Sequence, residues 1–265
     1  MDMPTFYIPH GAGPCFFMQP HEGFGNMWDD LGHWLRQLST EITQHPKAIL
    51  MVSAHWQNEA FEITSAAQPT LFHDYYGFPE YTYRITYPAP GAPLLAAEIC
   101  QRLQRAGFKA SLNSERGLDH GTFIPLKLVY PKADIPVLQL SLQQDLAAAE
   151  HYRAGQCLAA LREKGVLIIG SGMSFHNMSP QTKDLAARAD AFDDWIHQTL
   201  MATRSQRALL LSQWVRAPFA RFAHPTEEHL IPLMVACGAA GDNTATRLFH
   251  QRLAGQVAIA AYRFG

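Results

Sequence analysis

Apolar side chains along this chain repeat with two different periods. Short runs rich in β-branched and aromatic residues recur at Thr5–Ile8, Ala48–Val52, Phe61–Thr64, Ile135–Leu142, Val166–Ile169 and Val257–Ala261. Runs this short and apolar predict strands. Between them the spacing becomes helical: Trp28, Leu31, Leu35 and Leu38 lie on one face, and Pro93–Ala106 opens on a proline and stops at Gly107. The pattern predicts further helices at about 145–164, 184–203 and 226–238. Strands alternating with helices specify an α/β fold, here one domain over 1–265 with a central mostly parallel or mixed sheet flanked by helices on both faces. Such sheets bind ligands outside the carboxyl ends of their strands.

One stretch breaks the alternation. Residues 69–93, PTLFHDYYGFPEYTYRITYPAPGAP, hold five prolines among many aromatic residues, which predicts a long ordered loop of the kind that usually carries function. Composition then narrows the class. With 265 residues, 48% of them hydrophobic, the chain can bury a sizeable core. A net charge of -2 without any block of like charge excludes the electrostatic footprint of a nucleic-acid or anionic-membrane binder. The chain lacks the run of about 18 apolar residues that a spanning helix needs, and MDMPTFYIPHG does not read as a secretory signal. The expectation is a cytoplasmic protein with a small-molecule or protein partner, as a monomer or an oligomer. Cys15, Cys100, Cys157 and Cys237 are widely separated, so reduced thiols are expected rather than a zinc knuckle or a disulfide framework.

The candidate chemistry lies in 13 histidines. His21, His33, His45, His151, His197 and His250 occupy helical or polar contexts where a solvated side chain accounts for them. Others follow apolar runs or sit in glycine, proline and serine turns: Pro9-His10-Gly11, Ala54-His55-Trp56, Asp119-His120-Gly121 and Phe175-His176-Asn177. His10, His55 and His176 each follow a predicted strand, so a parallel sheet would bring them to one edge. Imidazole suits Fe, Zn, Cu or Ni, and small neighbours let the backbone bend around a ligand. None of these histidines has a local HxxxH or HExxH spacing, so the fold would have to assemble the site. Ser171 and Asn177 are expected to shape the backbone around His176, and Trp56 to pack behind His55. At 224–232, HPTEEHLIP, Thr226 can cap a helix with Glu228 and His229 in its first turns. That is either a purely structural helix start or the source of a further carboxylate or imidazole ligand.

Taken together, PHGAGP at 9–14, SAHW at 53–56, FHDYYGFP at 72–79, YPAPGAP at 87–93, GLDHGTF at 117–123, IPVLQLSL at 135–142, GSGMSFHN at 170–177 and HPTEEHLIPL at 224–233 resemble a known family. They look like the DOPA 4,5-dioxygenase type of class III extradiol ring-cleaving dioxygenases, relatives of the protocatechuate 4,5-dioxygenase catalytic subunit. The likeness spans nearly the whole chain in order. It implies an oxidoreductase that inserts both atoms of O2 into a small catechol, DOPA-like or otherwise substituted, and opens the ring. It further implies His10 and His55 as metal ligands with His229 as the third. The protocatechuate enzymes use a carboxylate there, whereas this chain has His229 with Glu228 beside it, so a 2-His-1-carboxylate triad is not spelled out. His176 resembles the acid–base histidine and is a candidate fourth ligand. His120 resembles a histidine that contacts substrate or oxygen. The implied cofactor for activity is Fe(II), with Zn(II) also suited to an all-imidazole site. In the 69–93 loop, His73 and Tyr75 are candidate substrate contacts, with Phe78 and Tyr87 beside them. Two other readings compete: a zinc-dependent hydrolase on the same histidines, and a non-enzymatic binding protein on the same fold. The full histidine set weighs against the second.

Overall fold

In the computed structural model, which describes residues 2–178 and 182–265, the predicted apolar runs pair into one sheet. Its strands are β1 (Thr5–Pro9), β2 (Ala48–Asn58), β3 (Phe61–Thr64), β4 (Ala110–Asn113), β5 (Val137–Gln143), β6 (Val166–Gly172), β7 (Ala245–Leu253) and β8 (Val257–Phe264). Their order across the sheet is β4-β3-β5-β2-β6-β1-β8-β7. The central strands β5, β2, β6 and β1 are parallel to one another. Antiparallel pairs, β1 with β8 and β7 with β8, complete one side, and β3 meets β5 antiparallel on the other. The sheet is thus mixed with a parallel centre. Alternate residues of the central strands feed two separate cores. Phe6, Ile8, Ile49, Met51, Leu167 and Ile169 pack on one face, and Tyr7, Leu50, Val52, Leu138 and Ile168 on the other. Burial on both faces is why these strands read as continuous apolar runs.

The helices are α1 (Asp29–Gln37), α2 (Pro93–Arg105), α3 (His120–Val129), α4 (Ala148–Leu158), α5 (Leu185–Met201), α6 (Arg204–Ser212), α7 (Ala220–Ala223) and α8 (Ile231–Ala240). The cores assign α1 and α3 to the first face and α2, α4, α5 and α8 to the second, in a single-domain α/β arrangement. Among the described residues no helix is long and apolar enough to cross a membrane.

The structure departs from the pattern in instructive places. The hydrophobic pattern does not mark β4 and β7, because each is a sheet edge with half-exposed residues. Strand β2 runs on from Val52 to Asn58 through a register shift against β5, so His55 lies inside a strand rather than after one. His120 begins a helix instead of sitting in a turn. The helix expected over 226–238 starts only at Ile231, leaving His229 in the preceding turn and Thr226 outside any helix cap. Pro232 gives the reason. In the first turn its missing N–H is harmless, whereas a helix begun at 226 would place it inside, where it clashes and breaks a bond. His151, expected to be solvated, is fully buried. Its Nδ1–H donates to the Ala147 carbonyl (2.8 Å) and its Nε2 accepts from the Gln143 amide (3.0 Å), so it ties the start of α4 to the end of β5.

Candidate functional site

Pro9 is level with Gly172 across β1 and β6, and Ser53 with Ser171 across β2 and β6, so the pairing of three parallel strands stops at one height, beyond which β2 runs on past the end of β6. His10 follows β1, His55 lies near the end of β2, and His176 follows β6 by a few residues. His229 reaches the same point from the turn before α8, which lies directly on β6. A Cβ at Gly172 would stand 2.0 Å from the His229 carbonyl oxygen, so only glycine lets the two segments touch. The Tyr7 hydroxyl (2.8 Å) and the Met173 amide (3.1 Å) donate to that same carbonyl and hold it there.

The imidazoles converge. Nε2 of His10 and Nε2 of His55 are 3.1 Å apart, and the candidate ligand atoms of His10, His55 and His229 all lie within 4.8 Å of one another. Two nitrogens bound to one ion at about 2.0–2.1 Å stand roughly 2.9–3.4 Å apart for octahedral to tetrahedral angles. The observed spacing fits a metal between them.

A hydrogen-bond chain aims His10. Pro125, inside α3, has no N–H for the Gly121 carbonyl one turn back. That carbonyl accepts from the Ser171 hydroxyl instead, so the Ser171 oxygen accepts from His10 Nδ1–H at 3.0 Å. The tautomer is then fixed, with the Nε2 lone pair turned into the site. Nδ1 of His229 donates to Glu228 (2.9 Å), which leaves its Nε2 free in the same way. Glu228 also lies 3.3 Å from Nδ1 of His176, whose ring stacks on His229 at a centroid distance of 3.4 Å. Asp74 serves the other pair. It accepts from both the backbone N–H and Nδ1–H of His120, each at 2.9 Å, and its second oxygen lies 3.7 Å from Nδ1 of His55. Behind them Asp119 is buried, bound by the Ser53 hydroxyl and the Gln139 amide.

Burial, followed by the neighbouring imidazoles, pushes His10 and His55 well below the usual histidine range. His229 falls to about 4, again through burial first, against the pull of Glu228. Neutral imidazoles are what a metal requires. Burial pushes Glu228 and Asp74 up, but hydrogen bonds outweigh it and leave both below the ordinary carboxylate range. For Glu228 these come from His176, His229 and Thr226, and for Asp74 from His120. Asp119, buried and facing the Asp74 charge, rises to about 6.

The histidines open onto a cavity of about 570 Å³, within the range of small-molecule sites. Gly11, Ala12 and Gly13, Phe24, Trp28, Phe78, Met173 and Val257 line it along with His10, His55, His120, His176 and His229. Tyr75 also lines it, anchored by its hydroxyl on the Thr82 carbonyl (2.7 Å). His73 stands a layer behind Tyr75, its Nε2 donating to the Ile85 carbonyl (3.1 Å), and Tyr87 is buried against the Tyr130 carbonyl, so neither lines the cavity. Asn177 lines it and its amide donates to Phe222. Ser171 orients His10 rather than the backbone of His176. Trp56 is buried next to His55, with the Arg116 guanidinium over its ring.

The sequence alone gives Asp74 and His224 no role and marks Asp119 only as the neighbour of His120, whereas it is Asp74 that holds the His120 ring. Asp74 stood within the FHDYYGFP motif, where its neighbours His73 and Tyr75 drew the attention. His224 is fully buried, with Nε2–H on the Ser174 carbonyl (3.1 Å) and Nδ1 without a hydrogen-bond partner among the described residues.

Residues 4–265 match the family model described as the catalytic LigB subunit of aromatic ring-opening dioxygenase. The chain is 39% identical to 4,5-DOPA dioxygenase extradiol of Beta vulgaris, over 98% of this chain and 96% of that protein. It is 32% identical to 4,5-DOPA dioxygenase extradiol of Escherichia coli (strain K12), over 89% of this chain and 85% of that protein. The solved structure of uncharacterized protein JW3007 from Escherichia coli K12 superposes with a TM-score of 0.78 at 28% identity, covering 99% of this chain and 100% of that one.

Proposed function

This chain belongs to the LigB family of aromatic ring-opening dioxygenases, and from that premise we propose how its residues divide the work. It is a metal-dependent extradiol dioxygenase acting on a small aromatic substrate and O2. The proposed substrate is a small substituted catechol, the class to which the DOPA of its Beta vulgaris relative's name belongs. The convergence of His10, His55 and His229, with Nδ1 of His10 and His229 bonded away from the cavity, carries the reading that these three hold the metal. The proposed metal is Fe(II), which when bound supplies the redox chemistry by which catechol and O2 combine. Glu228 sits behind His229 as its hydrogen-bond acceptor, and His176 is stacked beside His229 rather than grouped with His10 and His55.

The other residues bind, orient and move protons. His176 lines the cavity with Nδ1 toward Glu228, so its other nitrogen is the one placed to take a catechol proton and return it during ring opening. Asp74 accepts Nδ1–H of His120 and fixes the ring, which leaves Nε2 as the nitrogen that faces the reacting oxygens and, when it carries a proton, can donate to charge developing there. Tyr75, Phe78 and Trp28 wall the ring off from water. Oxygen uptake and the product spectrum, recorded after mixing anaerobically iron-loaded protein with a panel of catechols, test the reading. The expected result is a yellow ring-opened product with one O2 consumed per catechol, absent in His55→Ala. Silence across the panel with iron demonstrably bound would overturn it.

A further inference from the structure

We propose that the ring substituent this site selects is apolar and uncharged, so that the preferred substrate is an alkyl- or aryl-substituted catechol rather than a catechol amino acid. The inference rests on the ring-cleavage reading of the same cavity and narrows its substrate class.

The cavity has two chemically different ends. The diol end is the histidine cluster, backed by the Glu228 and Asp74 carboxylates. Away from it, the wall is a continuous aromatic and aliphatic surface: Trp28 lies against Phe24 (ring centroids 6.4 Å), Phe24 against Phe78 (6.1 Å) and Phe78 against Tyr75 (5.5 Å), with Leu253 and Val257 also lining the cavity. Among the described residues that line it, none is a lysine or arginine, and the ionisable side chains other than tyrosine are histidines.

Two cations near the site, one in sequence and one in space, are already engaged. Arg252, next to Leu253, is paired with Asp190 (2.7 Å). Arg116 donates to the His55 carbonyl (3.2 Å) and stacks on Phe72, outside the cavity. An amino acid side arm placed in this cavity would therefore bring a carboxylate against apolar walls, without a cationic partner and with like charges behind the diol end. Burying an unpaired charge is costly, whereas an alkyl or aryl arm gains from every apolar contact. Among the described lining residues, the main-chain N–H groups of Gly11 and Gly13 and the Asn177 side-chain amide are the alternative anchors for a carboxylate, and the test resolves whether they serve.

The experiment compares 4-propylcatechol with L-DOPA and with 3-(3,4-dihydroxyphenyl)propionate, which adds the carboxylate alone. kcat/KM is measured on iron-loaded protein, and affinity is measured by calorimetry on zinc-loaded protein, so that a binding preference is read without turnover. The expected result is a preference for 4-propylcatechol of about ten-fold or more in both measurements, in line with discrimination by apolar pockets. Leu253→Arg, which puts a cation at the cavity wall, is expected to shift the ratio toward the propionate by a similar factor. Equal or better binding of L-DOPA would overturn the inference and place its carboxylate on the polar groups of the wall, the Gly11 and Gly13 amides or Asn177, leaving ring cleavage intact. Binding that favours 4-propylcatechol without turnover of any catechol would support the apolar subsite while refuting the ring-cleavage reading. Binding of none of the three would overturn both.

Discussion

Replacing Ser171 by alanine removes one oxygen that makes no contact with the proposed metal, yet it should loosen the metal's hold. In the native chain the Ser171 oxygen accepts a hydrogen bond from His10 Nδ1–H at 3.0 Å, and its hydroxyl donates to the Gly121 carbonyl, which Pro125 has left open. His10 is 1% exposed, so after the substitution water cannot readily replace the lost acceptor. A buried donor left unsatisfied costs about 1–3 kcal/mol. Part of that loss falls on the metal-free fold. The rest appears only on binding, because a coordinated imidazole is a stronger Nδ1–H donor and because a freed ring no longer keeps Nε2 aimed at the site. Outer hydrogen-bond partners of metal-bound histidines are typically worth about 10–100-fold in affinity, or about 1.4–2.8 kcal/mol. Competition against a chromophoric chelator measures this directly. Ser141→Ala is the control: Ser141 is also buried and bonded, to the Glu62 amide and the Ala60 carbonyl, but away from the histidines. The expected outcome is a drop in stability for both variants and a loss of metal affinity for Ser171→Ala alone. Wild-type metal affinity in Ser171→Ala would refute the chain of reasoning from Pro125 to His10.

His176→Ala should lower turnover by about 10²–10⁴-fold while metal content stays near wild type; loss of the metal as well would make His176 a ligand. Gly172→Ala drives a methyl into the His229 carbonyl, which should cost about 1–3 kcal/mol or more and deplete the purified protein of metal, and unchanged Tm and metal content would contradict the close approach. Stability should also fall in acid through His224, which burial carries down to about 3. The folded chain keeps this ring neutral while the unfolded chain binds a proton below about 6.5, so the contribution is fully present above that pH. It is lost as pH falls toward about 3, at about 1.4 kcal/mol per pH unit. Urea unfolding of metal-free His224→Gln between pH 7 and 4.5 should show a shallower pH slope than wild type, by about one proton; an unchanged slope would contradict this assignment.

Much of the fold could be read from the chain because its signals are local. The central strands are apolar on both faces, so β1, β2, β5 and β6 announce themselves, whereas edge strands β4 and β7 carry too little buried surface to do so. Parallel strands paired in register explain why histidines after separate apolar runs meet. Glu228 and His229 precede their helix because Pro232 must lie in its first turn, a constraint that overrides the capping signal at Thr226. His151 reads as an ordinary polar residue and His224 carries no signal of its own, since nothing in their neighbours in sequence shows that each is buried with a backbone partner.

By itself, then, the sequence determined the class of the fold, its parallel centre, and the set of histidines and small residues at strand ends, all of which follow from side-chain period and turn chemistry within a few positions. Tertiary structure alone decided what makes those histidines a site. Ser171 meets His10 across 161 positions, Tyr7 meets the His229 carbonyl across 222, and Asp74 reaches His120 across 46. Tautomer, charge and aim are set by such partners, and pairings at that separation exist only once the sheet has closed and α8 has settled on the glycines of β6.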